Sequence, residues 1–160
     1  MIVPAHRSAR VLILARRTAH SPELIEAVAA RADRGPCNFT LLVPSSLGIL
    51  TNMNYHRPQR DIDAERRIVA AVPALSRAAG SEVVAVIGSQ DPFAAARDAL
   101  KLMGFDEVIV SMLPPRLSRW RSADVAGRIR ALGVPVTEVA GSESTRTIGA
   151  GSPGTRLPAA

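Results

Sequence analysis

Five short apolar runs punctuate the chain, and between them apolar residues recur at helical spacing. Val11-Leu12-Ile13-Leu14-Ala15 is continuous, the mark of a strand covered on both faces. Asn38 to Pro44, built on Phe39-Thr40-Leu41-Leu42-Val43, reads as a second buried strand. Glu82 to Ile87 is the third strand and Val108 to Met112 the fourth. Val134 to Val139 is a short last strand, and its Pro135 assigns it to a sheet edge, where a missing backbone donor is tolerated.

Each interval carries helix signals. Ser21-Pro22 pairs a capping hydroxyl with a proline at the first helical position, where its absent N–H costs nothing. Leu24, Ile25, Val28, Ala29 and Ala32 then line one face, and Gly35-Pro36 ends the helix. Asp61 or Asp63 caps the next helix, whose inner face is Ile68, Val69, Val72, Leu75 and Ala79, up to Gly80. Pro73 falls inside it and predicts a kink, because it removes one backbone bond and crowds the preceding turn. Asp91-Pro92 repeats the cap-plus-proline signal ahead of Phe93, Ala96, Leu100 and Met103, with Gly104 closing that helix. A fourth helix over Ser122–Leu132 buries Val125, Ile129 and Leu132 and stops at Gly133.

The order β-α-β-α-β-α-β-α-β, with helix-length crossovers, predicts an α/β fold: an open, doubly wound five-stranded parallel sheet with helices on both faces. One domain is expected over residues 1–140, with residues 1–9 as a loose lead-in. From Gly141 the chain is rich in Gly, Ser, Thr and Pro without periodicity, so 141–160 read as a disordered tail. Ser45 to Arg60 is longer than the usual connection of about 2–6 residues and reads as an insertion rather than a mobile lid.

Composition narrows the function classes. Only 3% of residues are aromatic, so the core must be aliphatic. Cys37 stands alone, which excludes a disulfide framework, and its place before a strand makes it a small core residue. His6, His20 and His56 have no ligand spacing. No apolar run approaches the roughly 20 residues of a membrane span, and a cytoplasmic protein without a membrane partner is expected. The net charge is +6, and Lys101 is the sole lysine among the basic residues. Arginine forks suit phosphate and carboxylate, yet a GC-rich coding sequence produces the same excess; both readings stand.

The most informative stretch is Glu107 to Val125. A buried strand empties through Pro114-Pro115 into a basic loop holding Arg116, Ser118, Arg119, Trp120, the only tryptophan, and Arg121, and a helix starts at Ser122. Open α/β sheets bind ligands at such strand-to-helix loops. Ser111 and Ser118 have no histidine and acid in support and no nucleophile elbow, so serine-hydrolase chemistry is not expected.

The five strands and four helices, with apolar runs at these spacings over residues 10–140, resemble the universal stress protein family. Ser89-Gln90-Asp91-Pro92, Asp106–Ser111 and Leu113-Pro114-Pro115-x-x-Ser118-Arg119-Trp120 are similar to an actinobacterial-type branch of it. The resemblance implies sheet order 3-2-1-4-5 and dimerisation through the last strand. ATP-binding members carry Gly-x-x-Gly, nine residues, then Gly-Ser or Gly-Thr after the fourth strand. Here those positions fall on Ser111, Pro114, Asp124 and Val125, and none matches. Glycines admit backbone N–H groups to phosphate, whereas Pro114 and Pro115 have none to give. ATP binding in the usual family manner is therefore not expected, and the cofactor is left unassigned.

In that topology strands one and four are neighbours. Their crevice would gather Arg16 and Arg17 with Ser111, Pro114, Pro115, Arg116, Ser118, Arg119, Trp120 and Ser122. The expected function is a non-enzymatic regulatory or binding module for a small anionic or nucleotide-like ligand, or a protein partner. Two alternatives stay open. A nucleic-acid- or ribosome-associated role would use the Arg excess with Arg146 and Arg156. A phosphoanhydride hydrolase would need a phosphate cradle and a metal-binding carboxylate.

Overall fold

A computed structural model describes residues 7–47, 61–114 and 122–143, with the backbone alone at 122–124. The elements follow one another as β1 (Ala9–Ala15), α1 (Pro22–Asp33), β2 (Cys37–Pro44), α2 (Ile62–Ala79), β3 (Val84–Gly88), α3 (Pro92–Met103), β4 (Glu107–Met112), α4 (Ser122–Arg130) and β5 (Val136–Ala140). All strands are parallel, in the order β3-β2-β1-β4-β5. This is the α/β sheet that the alternation of patterns predicts.

The continuous apolar runs sit where both faces are covered. Val11 to Ala15 of the central strand are almost fully buried. Odd positions such as Val11 and Ile13 face α1 and α2, in a layer with Phe39, Leu41 and Leu75. Even positions such as Leu12 and Leu14 face α3 and α4, with Val108, Val110 and Ile129. Among the described residues no helix is long and apolar enough to cross a membrane.

The caps form as the sequence implies. Ser21 accepts from the Leu24 N–H, Asp61 rather than Asp63 caps α2 through the Ala64 N–H, and Asp91 accepts from the Phe93 N–H. Gly80 ends α2 at φ 68° and Gly133 follows α4 at φ 87°, left-handed conformations that favour glycine.

Three expectations change. Val69 is 74% exposed and not part of the inner face of α2, which is shared by Ala64, Ile68, Ala71, Val72 and Leu75. Pro73 lies inside α2, which runs on to Ala79, as the sequence places it. The backbone bond it forgoes would go to the carbonyl of Val69, on the solvent side, where water can satisfy it. Leu132 lies beyond the end of α4 and is 46% exposed. Pro135 precedes β5 and does not lie within it; its carbonyl accepts from the Val108 N–H, while β5 still takes the edge.

Gly88 lets α3 lie close against the sheet. A Cβ there would stand 2.7 Å from Ala95 Cβ and 2.8 Å from Leu42 Cδ1, both fixed by buried neighbours. Gly88→Ala is expected to cost about 1–3 kcal/mol of overpacking, read as a drop in the urea midpoint at unchanged m-value.

Candidate functional site

The carboxyl ends of β1 and β4 meet at the switch point of the sheet, with Ala15 opposite Ser111. The chain leaves β1 through Arg16 and Arg17 and turns back immediately, the Ser21 N–H donating to the Thr18 carbonyl at 3.0 Å. That turn drops Thr18 onto the end of β4. Its hydroxyl donates to the Ser111 carbonyl at 2.9 Å and accepts from the Ser111 hydroxyl at 2.8 Å. Both residues are buried, so the Ser111 hydroxyl is directed into the protein and committed to Thr18.

The chain after β5 closes over the same spot. The Gly141 N–H donates to the Met112 carbonyl at 2.9 Å. A Cβ at Gly141 would lie 2.6 Å from Thr18 Cβ and 2.8 Å from Ser21 Oγ, so only glycine lets the backbone approach. Ser142 donates through its N–H and hydroxyl to one oxygen of Glu23. With the backbone N–H of Glu23 itself as the leading cause and the Ser142 hydroxyl next, this carboxyl is held below its ordinary range. Glu143 lies 4.0 Å from Arg17, both well exposed, a contact worth little in water. Residues 141–143 of the expected tail thus make defined contacts, while 144–160 lie outside the described residues.

Positive charge gathers beside the switch point. The Arg16 side chain is half-buried, and the Arg67 guanidinium, from α2, reaches the Arg16 carbonyl at 3.5 Å. Burial lowers the pKa of Arg16 most, repulsion from Arg67 and Arg17 lowers it further, and Asp61 and Asp63 oppose the shift. The guanidinium stays charged at any working pH, so the cluster is an electrostatic cost that an anion would relieve.

Asp61 ties this corner together. It is 6% exposed and accepts from the Ser45 hydroxyl, the Ser46 N–H, the Ser46 hydroxyl and the Ala64 N–H at 2.5–3.0 Å. Burial works against its ionisation, but those donors prevail and hold its carboxyl far below the usual carboxylate range. One side chain therefore joins the end of β2 to the start of α2, across the interval 45–60.

On the other side of the sheet, Val110, Met112, Leu113, Pro114, Glu138, Val139 and Ala140 line an open cleft of about 100 Å³. Pro114 thus borders the carboxyl ends of β4 and β5. Pro115, Arg116, Ser118, Arg119 and Trp120, and the side chain of Ser122, lie outside the described residues. Among the described residues no group of His, Cys, Asp and Glu is arranged to hold a metal. Burial pushes the Cys37 thiol up, with Arg31 opposing, the condition of an unreactive cysteine.

Thr18 and Arg67 carry no site signal in the sequence, because their partners are far off along the chain. Asp61 announces itself only as a helix cap; its bonds to Ser45 and Ser46 require the folded β2–α2 connection.

No protein-family model matches the chain, and no curated protein matches it either. Solved structures do. A universal stress protein from Archaeoglobus fulgidus superposes with a TM-score of 0.56 at 15% identity, over 82% of this chain and 98% of that one. The fold is that of the universal stress proteins. A universal stress protein solved in complex with cAMP matches equally well, with a TM-score of 0.56 at 14% identity over 84% of this chain and 99% of its own. A hypothetical protein superposes with a TM-score of 0.52 at 19% identity, over 83% and 96% of the two chains. The universal-stress-protein fold fixes the strand order and the adjacency of β1 and β4; at these identities it fixes nothing about side chains.

Proposed function

We propose that this chain is a non-enzymatic binding module of the universal-stress-protein kind, taking a small anionic or nucleotide-like ligand at the carboxyl ends of β1 and β4. The observation that carries the reading is the half-buried Arg16 beside Arg67 and Arg17, three guanidiniums crowded at the switch point. Three carboxylates face them: Asp61, already saturated with donors, Asp63, and Glu143, which meets Arg17 in solvent. The missing glycines and the Pro114-Pro115 pair argue against a triphosphate, which needs a cradle of backbone N–H groups. A monoanionic phosphodiester or a single phosphate asks for only one or two guanidiniums. The structure of a universal stress protein with cAMP makes that ligand class the first to try. The basic loop with Arg116, Arg119 and Trp120 would supply the second wall, and Ser111 would act by holding Thr18 rather than by touching the ligand.

The test is thermal unfolding of the protein with and without millimolar cAMP, AMP, ATP and inorganic phosphate. A ligand at about 100 times its dissociation constant should add roughly 2.7 kcal/mol of stability. Arg16→Ala and the pair Arg119→Ala with Trp120→Ala should abolish that gain while the ligand-free protein still melts cooperatively. No stabilisation by any of the four compounds would reject the reading, as would a gain that survives both variants.

A further inference from the structure

Two features at the carboxyl end of β1 attract anions, and the protein meets each with a carboxylate of its own. One is the start of α1, where the helix dipole places partial positive charge. Glu23 stands in that first turn, and its carboxylate accepts from its own backbone N–H. The other is the group of guanidiniums after β1, where Arg17 meets Glu143 at 4.0 Å. Glu23 belongs to the helix it caps. Glu143 arrives on the segment that follows β5.

That segment, residues 141–143, is a strap seated at two points. The Gly141 N–H donates to the Met112 carbonyl, which carries the β4–β5 pairing one residue past Ala140. Gly141 also packs on Thr18, so closely that a Cβ would stand 2.6 Å from Thr18 Cβ. Thr18 follows Arg17 directly, so the strap is pinned beside the cationic group. Ser142 then gives its N–H, at 3.2 Å, and its hydroxyl, at 3.0 Å, to one oxygen of Glu23. The next residue, Glu143, is thereby held within reach of Arg17. Both side chains of that last pair stay 57% exposed, so the contact can open without stranding a charge in the interior.

We infer that the strap is an intramolecular competitor for the anion site proposed above, on which this reading rests: Glu143 holds Arg17 in place of a ligand phosphate, and the ligand must lift it to engage that guanidinium. The strength of the contact suits the role. A pair of exposed charges shifts an equilibrium by no more than about fivefold, so the strap weakens binding without blocking it. A phosphate brings several acceptor oxygens to a guanidinium and can displace a single carboxylate. The coupling is reciprocal: a ligand loosens the strap by the same factor as the strap weakens the ligand. Ser142 acts as a positioning residue, since its bonds to Glu23 fix where Glu143 is presented.

Calorimetric titration of the full chain with inorganic phosphate and with cAMP, at low ionic strength, tests this. Glu143→Gln should lower the apparent dissociation constant about two- to fivefold. Ser142→Ala removes no charge but takes away one of the bonds that seat the strap, and should act in the same direction by less. In the Glu143→Gln background Ser142→Ala should add nothing, because the seat matters only through Glu143. Saturating phosphate should also speed hydrogen exchange of the Ser142 amide. Equal dissociation constants for wild type and Glu143→Gln overturn the strap and leave the anion site standing. So does a Ser142→Ala effect that persists without Glu143, or a Ser142 amide indifferent to phosphate. No binding of either probe to wild type or to Glu143→Gln rejects the anion site itself, and the strap with it.

Discussion

Replacing Asp61 by alanine should lower the free energy of unfolding by about 2–3 kcal/mol at neutral pH: roughly 1 kcal/mol for the lost helix cap, and the rest for the Ser45 and Ser46 donors left without their acceptor in a half-buried corner. The carboxylate binds two hydroxyls and two N–H groups while only 6% exposed. Its folded-state pKa is depressed, since the donors outweigh the burial that opposes ionisation. The sign follows from linkage. A carboxyl with a depressed folded pKa contributes its full stability above the unfolded value of about 3.9 and loses it as pH falls toward the folded value. Urea denaturation of wild type and Asp61→Ala should therefore differ most at neutral pH and converge progressively below about pH 4. A gap that stays constant through that range would mean that the charge of Asp61 is not what holds the corner. The same variant frees the two ends of the 45–60 interval from each other, so exchange of the Ser46 and Ala64 amides should accelerate beyond the change in global stability.

The second large effect is expected at the switch point. Thr18→Val keeps the shape of the side chain but removes its hydroxyl, leaving the buried Ser111 hydroxyl without its acceptor and the Ser111 carbonyl without that donor. Each group so stranded costs about 1–3 kcal/mol, and the substitution should cost about 2–4 kcal/mol in total. Ser111→Ala alone should cost less, because Thr18 can still donate to the carbonyl. The double variant should be no worse than Thr18→Val, since the two hydroxyls act through one bond. A double-mutant cycle by chemical denaturation should return a coupling of about 0.5–3 kcal/mol. Additive effects would show that the pair is incidental to the closure of β1 on β4. The variant also bears on the ligand reading. If Ser111 only positions Thr18, Ser111→Ala should leave any phosphate- or nucleotide-dependent stabilisation in place, whereas Arg16→Ala should remove it.

The architecture was legible because its determinants are local. Val11–Ala15 are apolar on consecutive positions and Phe39–Val43 on all but Thr40, the pattern of strands covered on both faces. Ser21-Pro22 and Asp91-Pro92 fix helix starts through a cap and a proline whose effects reach no further than one turn. Val69 and Leu132 were misleading for the same reason. Periodicity reports which residues can share a face, but not how wide the buried face is or where the helix stops.

Of the residues proposed for the site, the sequence by itself determined only their places along the chain: Arg16 and Arg17 follow β1 directly, and Pro114 follows β4. The basic loop beyond Pro114 stands in the sequence alone. Only the tertiary structure decided that Ser111 turns inward to Thr18, that Arg67 joins Arg16, that Asp61 clamps Ser45 and Ser46, and that Gly141 packs on Thr18. Thr18 and Ser111 are 93 positions apart, and a hydrogen bond between them exists only because parallel pairing places β4 beside β1. Propensity, capping and hydrophobic spacing act within a few residues of their origin, whereas the site is assembled by contacts that chain connectivity does not encode.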